Sequence, residues 1–583
     1  MSLESTIRLK SFNYRFLPKE AMSKKILSPL LLLALSQACF AQLAPSFAQQ
    51  PPSAGTLLQQ IPPAPALLEA KPKFEVQQAS PPLTSGQDSA TIVVSTLRVT
   101  GAIAYSEAEL LAVTGFIPGS ALSLSDLRLM ASRIADHYHR NGYFVAQAYL
   151  PAQDIKDGVV TIAVMDGRYG KVVLNNTSNV SSGLANDLLS GLNSGDLITV
   201  DPLENRLLLL SDLPGGTVQS TLVPGDSMGA SDLIVDLTPG RSVNGSIDAD
   251  NAGNRYTGAN RIGATVNFNE LTGQGDVATL RAVTSGPGLS YVIGAYQMQF
   301  GKAKLGVSYS ALKYSLIREF ESLESNGTAE VASLYGSYPL IRSRNNNVNV
   351  GLAFNAKTFQ DRIDTTSFVS DKKANVLVAS LYGDHRDTLW GGGVSSYSLN
   401  LSNGNIDLQT PSVLAFDAAT ARSNGHYTKL AYSAARLQNV TNLVSLYAGV
   451  NGQFASKNLD PSEKMELGGM YGVRAYPEGE AYADQGYVLN LEARLQLPKF
   501  SDAMPGQLQL IGFVDTGSVT VNKDAWATGA NRRTLSGAGV GVNWSDTNNF
   551  MVRAYYAVKV GDEPALSAPD KSGRFWIQAV KYF

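Results

Sequence analysis

One arginine and one aspartate are the residues of this chain whose types and surroundings best suit a defined interaction. Arg474 stands between apolar residues in a glycine-rich stretch that runs from Gly468 to Gly479. Asp515 ends a strand-like segment and shares its polar side with Gln507 by alternation. A guanidinium and a carboxylate that face the same wet interior form bidentate, charge-assisted hydrogen bonds. We therefore predict that Arg474 and Asp515 form an ion pair.

A segment that alternates strictly between apolar and polar residues follows the arginine. Its odd positions from Tyr487 to Leu497 are apolar, and its even positions from Val488 to Gln496 include Asn490, Glu492 and Arg494. A period of two over such a length predicts a β-strand with one apolar and one wet face. The arginine lies in the connection before this strand.

The same alternation covers the whole second half of the chain. About 16 short alternating runs, separated by Gly, Asn and Asp turns, follow Pro239-Gly240 to the end of the sequence. An even number of strands of this length, with short and long connections in turn, predicts an antiparallel β-barrel in a membrane over residues 240–583. A soluble β-sandwich is the alternative. Long connections are expected near residues 317–327, 358–373, 404–424, 455–486 and 521–533.

In the region before the barrel, segments with helical periodicity alternate with segments with strand periodicity. The order β-α-α-β-β occurs over residues 91–168 and again, more loosely, over residues 169–239. Ser123 and Asp126 have the spacing of a capping box at the start of a helix. We expect two small α+β modules, whose open sheet edges suit the capture of extended peptide by strand addition. Two spacer domains without a ligand are the alternative.

The N-terminal region predicts export. Lys24-Lys25, a leucine-rich run and small residues up to Ala41 predict a signal peptide over residues 1–41, in which residues 1–21 would be an over-long start. Residues 42–90 are rich in Gln, Pro and Ala, and this composition favours a disordered linker. Residues 54–61 could alternatively form two helical turns. The one cysteine of the chain, Cys39, would leave with the signal peptide.

Several functions are disfavoured by composition and spacing. The formal net charge is −2, so no surface for nucleic acid is indicated. His137 and His139 are two apart on a predicted helix and point to different faces, so they form a poor metal pair. No nucleophile–base set was found, and Gly537 to Gly541 resembles a phosphate loop only in composition. We expect no enzyme, no cofactor and no metal.

Several motifs resemble those of the outer-membrane transporters of two-partner secretion, the TpsB proteins of the ShlB/FhaC/HecB haemolysin secretion and activation family. The resemblance covers about residue 50 to the C-terminus, within the superfamily that includes the BamA assembly factor. The V-R-G-Y loop motif stands here as Val473, Arg474, Ala475 and Tyr476, with alanine in place of glycine. The F-x-D-x-G strand motif stands as Phe513, Asp515 and Gly517. The motif of the first POTRA domain stands as Gly142, Tyr143, Tyr149, Leu150, Pro151, Asp157 and Gly158.

This resemblance implies a plug helix with its linker, two POTRA domains and a 16-stranded barrel whose long loop, residues 455–486, lies in the lumen. It implies a pore that secretes an unfolded exoprotein, a TpsA-type adhesin, cytolysin or contact-dependent toxin. Arg474 and Asp515 would be lumenal partners. Outer-membrane lipid and the barrel-assembly machinery would be further partners, and the POTRA domains would lie in the periplasm. An insertase of the same superfamily and a passive porin or receptor are the alternatives.

Overall fold

The structure is a computed structural model that describes residues 51–65, 73–76, 90–499, 501 and 503–583. The predicted signal peptide, residues 1–41, lies outside the described residues. Among the described residues, no helix is long and apolar enough to cross a membrane.

The first described element is a short helix, α1 (Ala54–Gln59). Ser53 and Thr56 form a reciprocal capping box at its start. Composition favoured disorder here, and that expectation is wrong for this segment. The reason is tertiary burial: Ala54 and Leu57 are fully buried against residues of the barrel interior, which local composition does not reveal.

The first module contains two helices and five strands around one apolar cluster. Its elements are β2 (Thr91–Val94), β3 (Thr96–Thr100), α2 (Glu107–Thr114), β4 (Ser120–Ser123), α3 (Leu124–Arg140), β5 (Gln147–Tyr149) and β6 (Val159–Met165). The strands form a sheet of order β3-β6-β5 and a separate pair β2-β4. The predicted cap is present, because Ser123 and Asp126 bond each other's backbone at the start of α3. The apolar stripe of α3, including Ile134 and Tyr138, is fully buried against the sheet.

The second module repeats this plan and carries one additional strand. Its elements are β7 (Arg168–Asn176), α4 (Ser182–Leu189), α5 (Val200–Ser211), β8 (Gly216–Pro224) and β9 (Ala230–Pro239). A strand from the linker, β1 (Lys73–Val76), joins the sheet, whose order is β1-β8-β9-β7. The linker segment was not expected to form a strand, since four residues between prolines carry no clear period.

Sixteen antiparallel strands then close into a barrel in simple chain order, with β25 paired to β10. The prediction of about 16 antiparallel strands is confirmed. The strands are β10 (Val243–Asp250), β11 (Arg261–Asn269), β12 (Val277–Thr284), β13 (Leu289–Phe300), β14 (Ala303–Ser315), β15 (Ser325–Arg342), β16 (Asn346–Ile363), β17 (Phe368–Asp387), β18 (Gly393–Leu408), β19 (Gly425–Asn439), β20 (Val444–Ala455), β21 (Gln485–Gln496), β22 (Gln507–Thr520), β23 (Arg532–Asp546), β24 (Phe550–Lys559) and β25 (Gly573–Tyr582).

Side-chain alternation separates an apolar outside from a polar inside. On β14, Leu305, Val307 and Tyr309 are about half exposed on the outer face, whereas Ser310 on the other face is buried. This is the pattern of a barrel whose outer band contacts lipid hydrocarbon.

Two of the expected long connections are shorter than predicted. The connection expected at residues 358–373 is only residues 364–367, because β16 and β17 continue far into it. The connection expected at residues 404–424 begins only after Leu408 and contains a helix, α6 (Pro411–Ala419). These strand ends are rich in Asn, Asp, Gln and Lys and lack the regular alternation of the lipid-facing band, so they were predicted to be loop.

A lumenal loop fixed by two charged clusters

The connection between β20 and β21, residues 456–484, folds back into the barrel. Met465 and Ala483 exchange backbone hydrogen bonds, and the Leu467 amide donates to the Glu480 carbonyl, so the loop is a narrow hairpin. Its tip, with Val473 and Tyr476 fully buried, lies against the inner faces of β21 to β25. We call this segment the lumenal loop.

The guanidinium of Arg474 lies between two carboxylates of the barrel wall. Its Nε and Nη2 donate to the two oxygens of Asp515 at 2.8 and 2.7 Å, and its Nη1 donates to Glu492 at 2.7 Å. The ion pair predicted from the sequence is therefore present. Asn490, the cross-strand partner of Asp515, donates to it at 2.7 Å and to the Gly472 carbonyl at 3.0 Å. We call Arg474, Asp515, Glu492 and Asn490 the arginine cluster.

Each of the three residues of the strand motif makes a different contact with the lumenal loop. The Phe513 ring lies under the guanidinium, 3.6 Å from Cζ to the ring centroid, which adds a cation–π contact. Asp515 also accepts from the Arg474 amide at 3.1 Å, so it fixes the loop backbone as well as the side chain. At Gly517 a Cβ would lie 2.4 Å from Leu467 Cδ1, so only glycine lets the lumenal loop approach this closely.

The loop motif is packed on all sides. Ala475 has no positive φ, so alanine is accepted where the family has glycine. Its Cβ faces Gly537 of β23, where a second Cβ would come within 2.5 Å of it. The Tyr476 hydroxyl donates to the Glu563 carbonyl at 3.0 Å, and Trp576 Nε1 donates to the Arg474 carbonyl at 2.7 Å. These contacts hold the tip against two strands, β23 and β25, and one outer connection.

A second charged cluster binds the other end of the lumenal loop with the opposite polarity. Here the loop supplies the acids, Asp460 and Glu463, and strands β16, β17 and β19 supply the amines. Lys372 contacts Asp460 at 2.7 Å, and Glu463 contacts two amines at 2.6 and 2.7 Å. All of these side chains are at least four-fifths buried. We call Lys357, Lys372, Lys429, Asp460 and Glu463 the lysine cluster.

Helix α1 lies on the lysine cluster and continues into the lumen. The Ala54 amide donates to Asp361 of β16 at 2.7 Å, and the Gln59 side chain donates to the Ser462 carbonyl of the lumenal loop. At the other end of the helix, Arg261 of β11 donates to the Gln60 carbonyl at 2.8 Å, a favourable site for a cation. A cavity of about 650 Å³ beside Gln60 is lined by the lumenal loop and by β24 and β25.

The residues of the POTRA motif stabilise the first module and its junction with the second. Gly142 has φ +89° after α3, and its carbonyl accepts from the Val200 amide of the second module at 3.0 Å. Tyr143 stacks edge-on against Tyr138. Asp157 and Gly158, both with positive φ, form a turn whose carbonyls accept from Ser95. Tyr149, Leu150 and Pro151 are half-buried in and after β5. No residue of this set contacts the arginine cluster.

The two histidines lie apart, as their spacing predicts. His137 packs against the Tyr105 ring at 4.7 Å, whereas His139 contacts the Ala146 carbonyl at 2.9 Å. Within the described residues, no group of three or more His, Cys, Asp or Glu side chains could hold a metal ion.

Sequence reasoning missed the lysine cluster and the second carboxylate of the arginine cluster. Glu492 had a usable signal, since it occupies the polar face of β21 one pleat away from Asn490. The lysines had none, because they are single basic residues on three separate strands, and an acid-bearing loop gives no periodic pattern.

The fold and the site together define a class: an outer-membrane β-barrel with two periplasmic α+β modules and a lumenal loop. The family model "haemolysin secretion/activation protein ShlB/FhaC/HecB" matches residues 229–544, and the model "POTRA domain, ShlB-type" matches residues 92–167. The chain therefore belongs to the ShlB/FhaC/HecB family of haemolysin secretion and activation proteins. It is an outer-membrane protein whose POTRA domains lie in the periplasm.

Relatives and solved structures agree with this assignment. The heme/hemopexin transporter protein HuxB of Haemophilus influenzae (strain 86-028NP) is 29% identical over 477 residues, which cover 80% of this chain and 82% of HuxB. The outer membrane transporter CdiB of Dickeya dadantii (strain 3937) is 25% identical over 437 residues, or 72% and 74% of the two chains. The solved structure of CdiB from Escherichia coli has a TM-score of 0.65 at 20% identity and covers 96% of this chain and 100% of that chain. That last likeness shows the fold.

Proposed function

We propose that this transporter secretes one unfolded partner exoprotein outward through the lumen of its barrel. The observation that carries the proposal is that the lumen is filled by two segments of the same chain, α1 and the lumenal loop. Both are held against the wall by non-covalent contacts, so moving them away from it breaks no covalent bond. A permanently open pore does not require segments that occupy its lumen. A channel that opens only for its client does require them, because they close it at rest.

The two modules at the periplasmic end would receive the client before it enters the lumen. The second module is joined to the barrel by polar contacts, including a bidentate pair between Arg342 and Asp212 at 2.5 and 2.7 Å. A passive porin does not require such modules, and an insertase does not require a helix that fills the lumen. These features favour secretion over both alternatives.

The client would be a large secreted exoprotein of the TpsA type: an adhesin, a cytolysin or a contact-dependent toxin. Because the relative HuxB is a heme/hemopexin transporter protein, an exoprotein of heme or hemopexin transport is the first client to test. Insertion would depend on outer-membrane lipid and the barrel-assembly machinery. We assign no catalytic step, no cofactor and no nucleic acid, and client folding outside the cell would supply the energy of export.

Two linked measurements test the proposal. Secretion of an exoprotein encoded beside this chain would be followed in cells that carry or lack the transporter. Single-channel conductance of the purified protein would be compared with that of a variant lacking residues 51–61. A variant lacking residues 79–89, a deletion of equal length in the linker, serves as the control.

We expect small, flickering conductance in the intact chain and a large, steady pore only when residues 51–61 are removed. A wide, stable pore in the intact chain would favour the porin. Loss of outer-membrane proteins from cells that lack this chain, with normal secretion, would favour the insertase.

A further inference from the structure

An exposed tryptophan has a strained backbone conformation in the turn between β17 and β18, residues 388–392. Trp390 has φ +49° and ψ +42°, in the left-handed region that bulky residues rarely adopt. Its side chain is 87% exposed, so contacts with its own chain do little to offset the strain. A large apolar side chain that is exposed and held in such a conformation marks a candidate interaction site.

Three side chains hold this turn in place. Gln438, at the end of β19, donates from Nε2 to the carbonyls of Leu389 at 2.9 Å and of Trp390 at 3.2 Å. Asp387 accepts from the Leu389 amide at 3.0 Å and forms a bidentate ion pair with Arg436 at 2.8 and 3.1 Å. The turn is therefore built to present Trp390 before any partner binds.

The residues that hold the turn lie on the outer side of the barrel wall. Lys372 of β17 and Lys429 of β19 bind the lumenal loop and so face the lumen. Asp387 and Arg436 lie an odd number of residues further along these two strands, and successive side chains of a strand point to opposite faces. Asp387 and Arg436 therefore face outward, and the turn is fixed from the side that meets lipid.

The turn lies at the periplasmic rim, where it continues the lipid-facing band. Strand β10 starts beside the second module and every strand crosses the wall, so the β17–β18 and β19–β20 turns are both at the periplasmic end. The β19–β20 turn presents Val440 and Leu443, each 52% exposed. Gln438 joins the two turns, because its Nε2 also lies 3.1 Å from the Asn439 carbonyl. Three residues beyond Leu443, Leu446 pairs with Gln438 and is half exposed on the outer face of β20.

We propose that Leu389, Trp390, Val440 and Leu443, the rim patch, anchor the barrel in the phospholipid headgroup layer of the periplasmic leaflet. An indole ring has an apolar body and one N–H donor, and tryptophan is accordingly enriched at membrane–water interfaces. Strands β17 and β18 are the eighth and ninth of the sixteen, so the rim patch lies diametrically opposite the seam between β10 and β25. It sets the depth in the membrane of the wall that is farthest from this seam.

Two glycine substitutions test whether the ring has a partner. Glycine adopts positive φ without strain, so Trp390→Gly relieves the backbone and removes only the ring. The matched control is Ser367→Gly, at an exposed polar residue with φ +53° in the outer turn between β16 and β17. Full-length protein in bilayers of phosphatidylethanolamine and phosphatidylglycerol is unfolded with urea.

We expect Trp390→Gly to raise the ratio of unfolded to folded protein about tenfold, because the ring loses its contact with lipid. Ser367→Gly should leave this ratio unchanged or lower it. A ratio that Trp390→Gly leaves unchanged or lowers would show that the ring has no partner and would overturn the proposal.

Fluorescence quenching in the same bilayers identifies the partner. The emission of Trp390 is the difference between wild type and Trp390→Phe, measured with and without a lipid that carries a nitroxide on its headgroup. We expect the nitroxide to reduce this emission at least about twofold. The corresponding difference for Trp576→Phe, whose ring is buried inside the barrel, should not respond. Absence of quenching at Trp390 would overturn the proposal, and full access of the ring to aqueous acrylamide would then leave the rim patch for a periplasmic protein.

Discussion

The two charged clusters that hold the lumenal loop differ in their design. In the arginine cluster one cation from the loop meets carboxylates of adjacent strands, in a planar and bidentate geometry. In the lysine cluster two acids from the loop meet three amines from three strands. A guanidinium fork requires one geometry, whereas ammonium groups act as point charges on flexible stems. The tip of the loop is thus fixed by one irreplaceable side chain, and its base by several that share the charge.

This difference predicts unequal costs of mutation. Removal of Arg474 leaves Asp515 buried without a cation, although Glu492 keeps its ion pair with Arg494. Removal of Lys429 or Lys357 leaves Glu463 with the other lysine. Removing one partner of a buried ion pair lowers the free energy of unfolding far more than removing one cation from a network that retains another.

The largest effect is expected from Arg474→Ala. It should destabilise the folded barrel by about 3–5 kcal/mol and reduce secretion strongly while the barrel still inserts. Arg474→Lys should recover little, since one ammonium cannot replace the fork. Denaturant unfolding in detergent and the secretion assay measure the two effects. The triple variant Arg474→Met/Asp515→Asn/Glu492→Gln is the control: it should recover stability without recovering secretion, and failure of both would remove the ion pair as the cause.

A smaller effect is expected from Lys429→Met. Glu463 keeps its contact with Lys357, so the loss in unfolding free energy should be about 1.5–3 kcal/mol, the contribution of one hydrogen bond to a charged group. Lys429→Arg should be close to wild type. The same unfolding experiment applies. A loss as large as that of Arg474→Ala would show that the two clusters do not differ in the way described.

A still smaller effect is expected from the N-terminal cap of α1, the helix that lies on the lysine cluster. Ser53→Ala removes the capping box and should weaken the seating of the helix by about 1 kcal/mol. The fraction of time in the open state should then rise about fivefold in single-channel records. Ser178→Ala, at a distant turn of the second module, is the control. An unchanged open fraction would show that the helix cap does not limit opening.

The smallest effect concerns a buried carboxyl with no cation beside it. Burial and the nearby Asp276 raise the pKa of Glu270, in the turn after β11, from its ordinary 4.5 to about 7. Below pH 4.5 the carboxyl is protonated in both folded and unfolded states, and its stabilising contribution is fully present. As the pH rises toward 7 only the folded state retains the proton, so stability falls. Wild-type protein should have a lower melting temperature at pH 8 than at pH 5, and Glu270→Gln should flatten this difference. An equal slope in the variant would assign the pH dependence to another group.

The central ion pair of the arginine cluster could be predicted from the sequence, whereas the lysine cluster could not. Alternation gives the strand count and the face of Asp515, because the period of two survives wherever one face meets lipid. The glycines near Arg474 indicate a packed loop. Strand ends beyond the lipid band lose that signal, so β16 and β17 were predicted too short. The helix at Ala54–Gln59 and the strand at Lys73–Val76 depend on partners far away in the chain, and no local pattern reports those partners.

The strands differ greatly in length around the barrel. Strands β10 to β12 contain 8 or 9 residues, whereas β15 to β17 contain 18 to 20. At about 3.3 Å per residue and a tilt near 40°, these walls are roughly 20 and 45 Å tall. The apolar band of an outer-membrane barrel is about 25 Å tall, so only the taller wall spans the full hydrocarbon layer. Lipid beside the short wall, where β10 meets β25, must therefore thin or the barrel must lean, and the protein imposes an uneven thickness on the membrane around it.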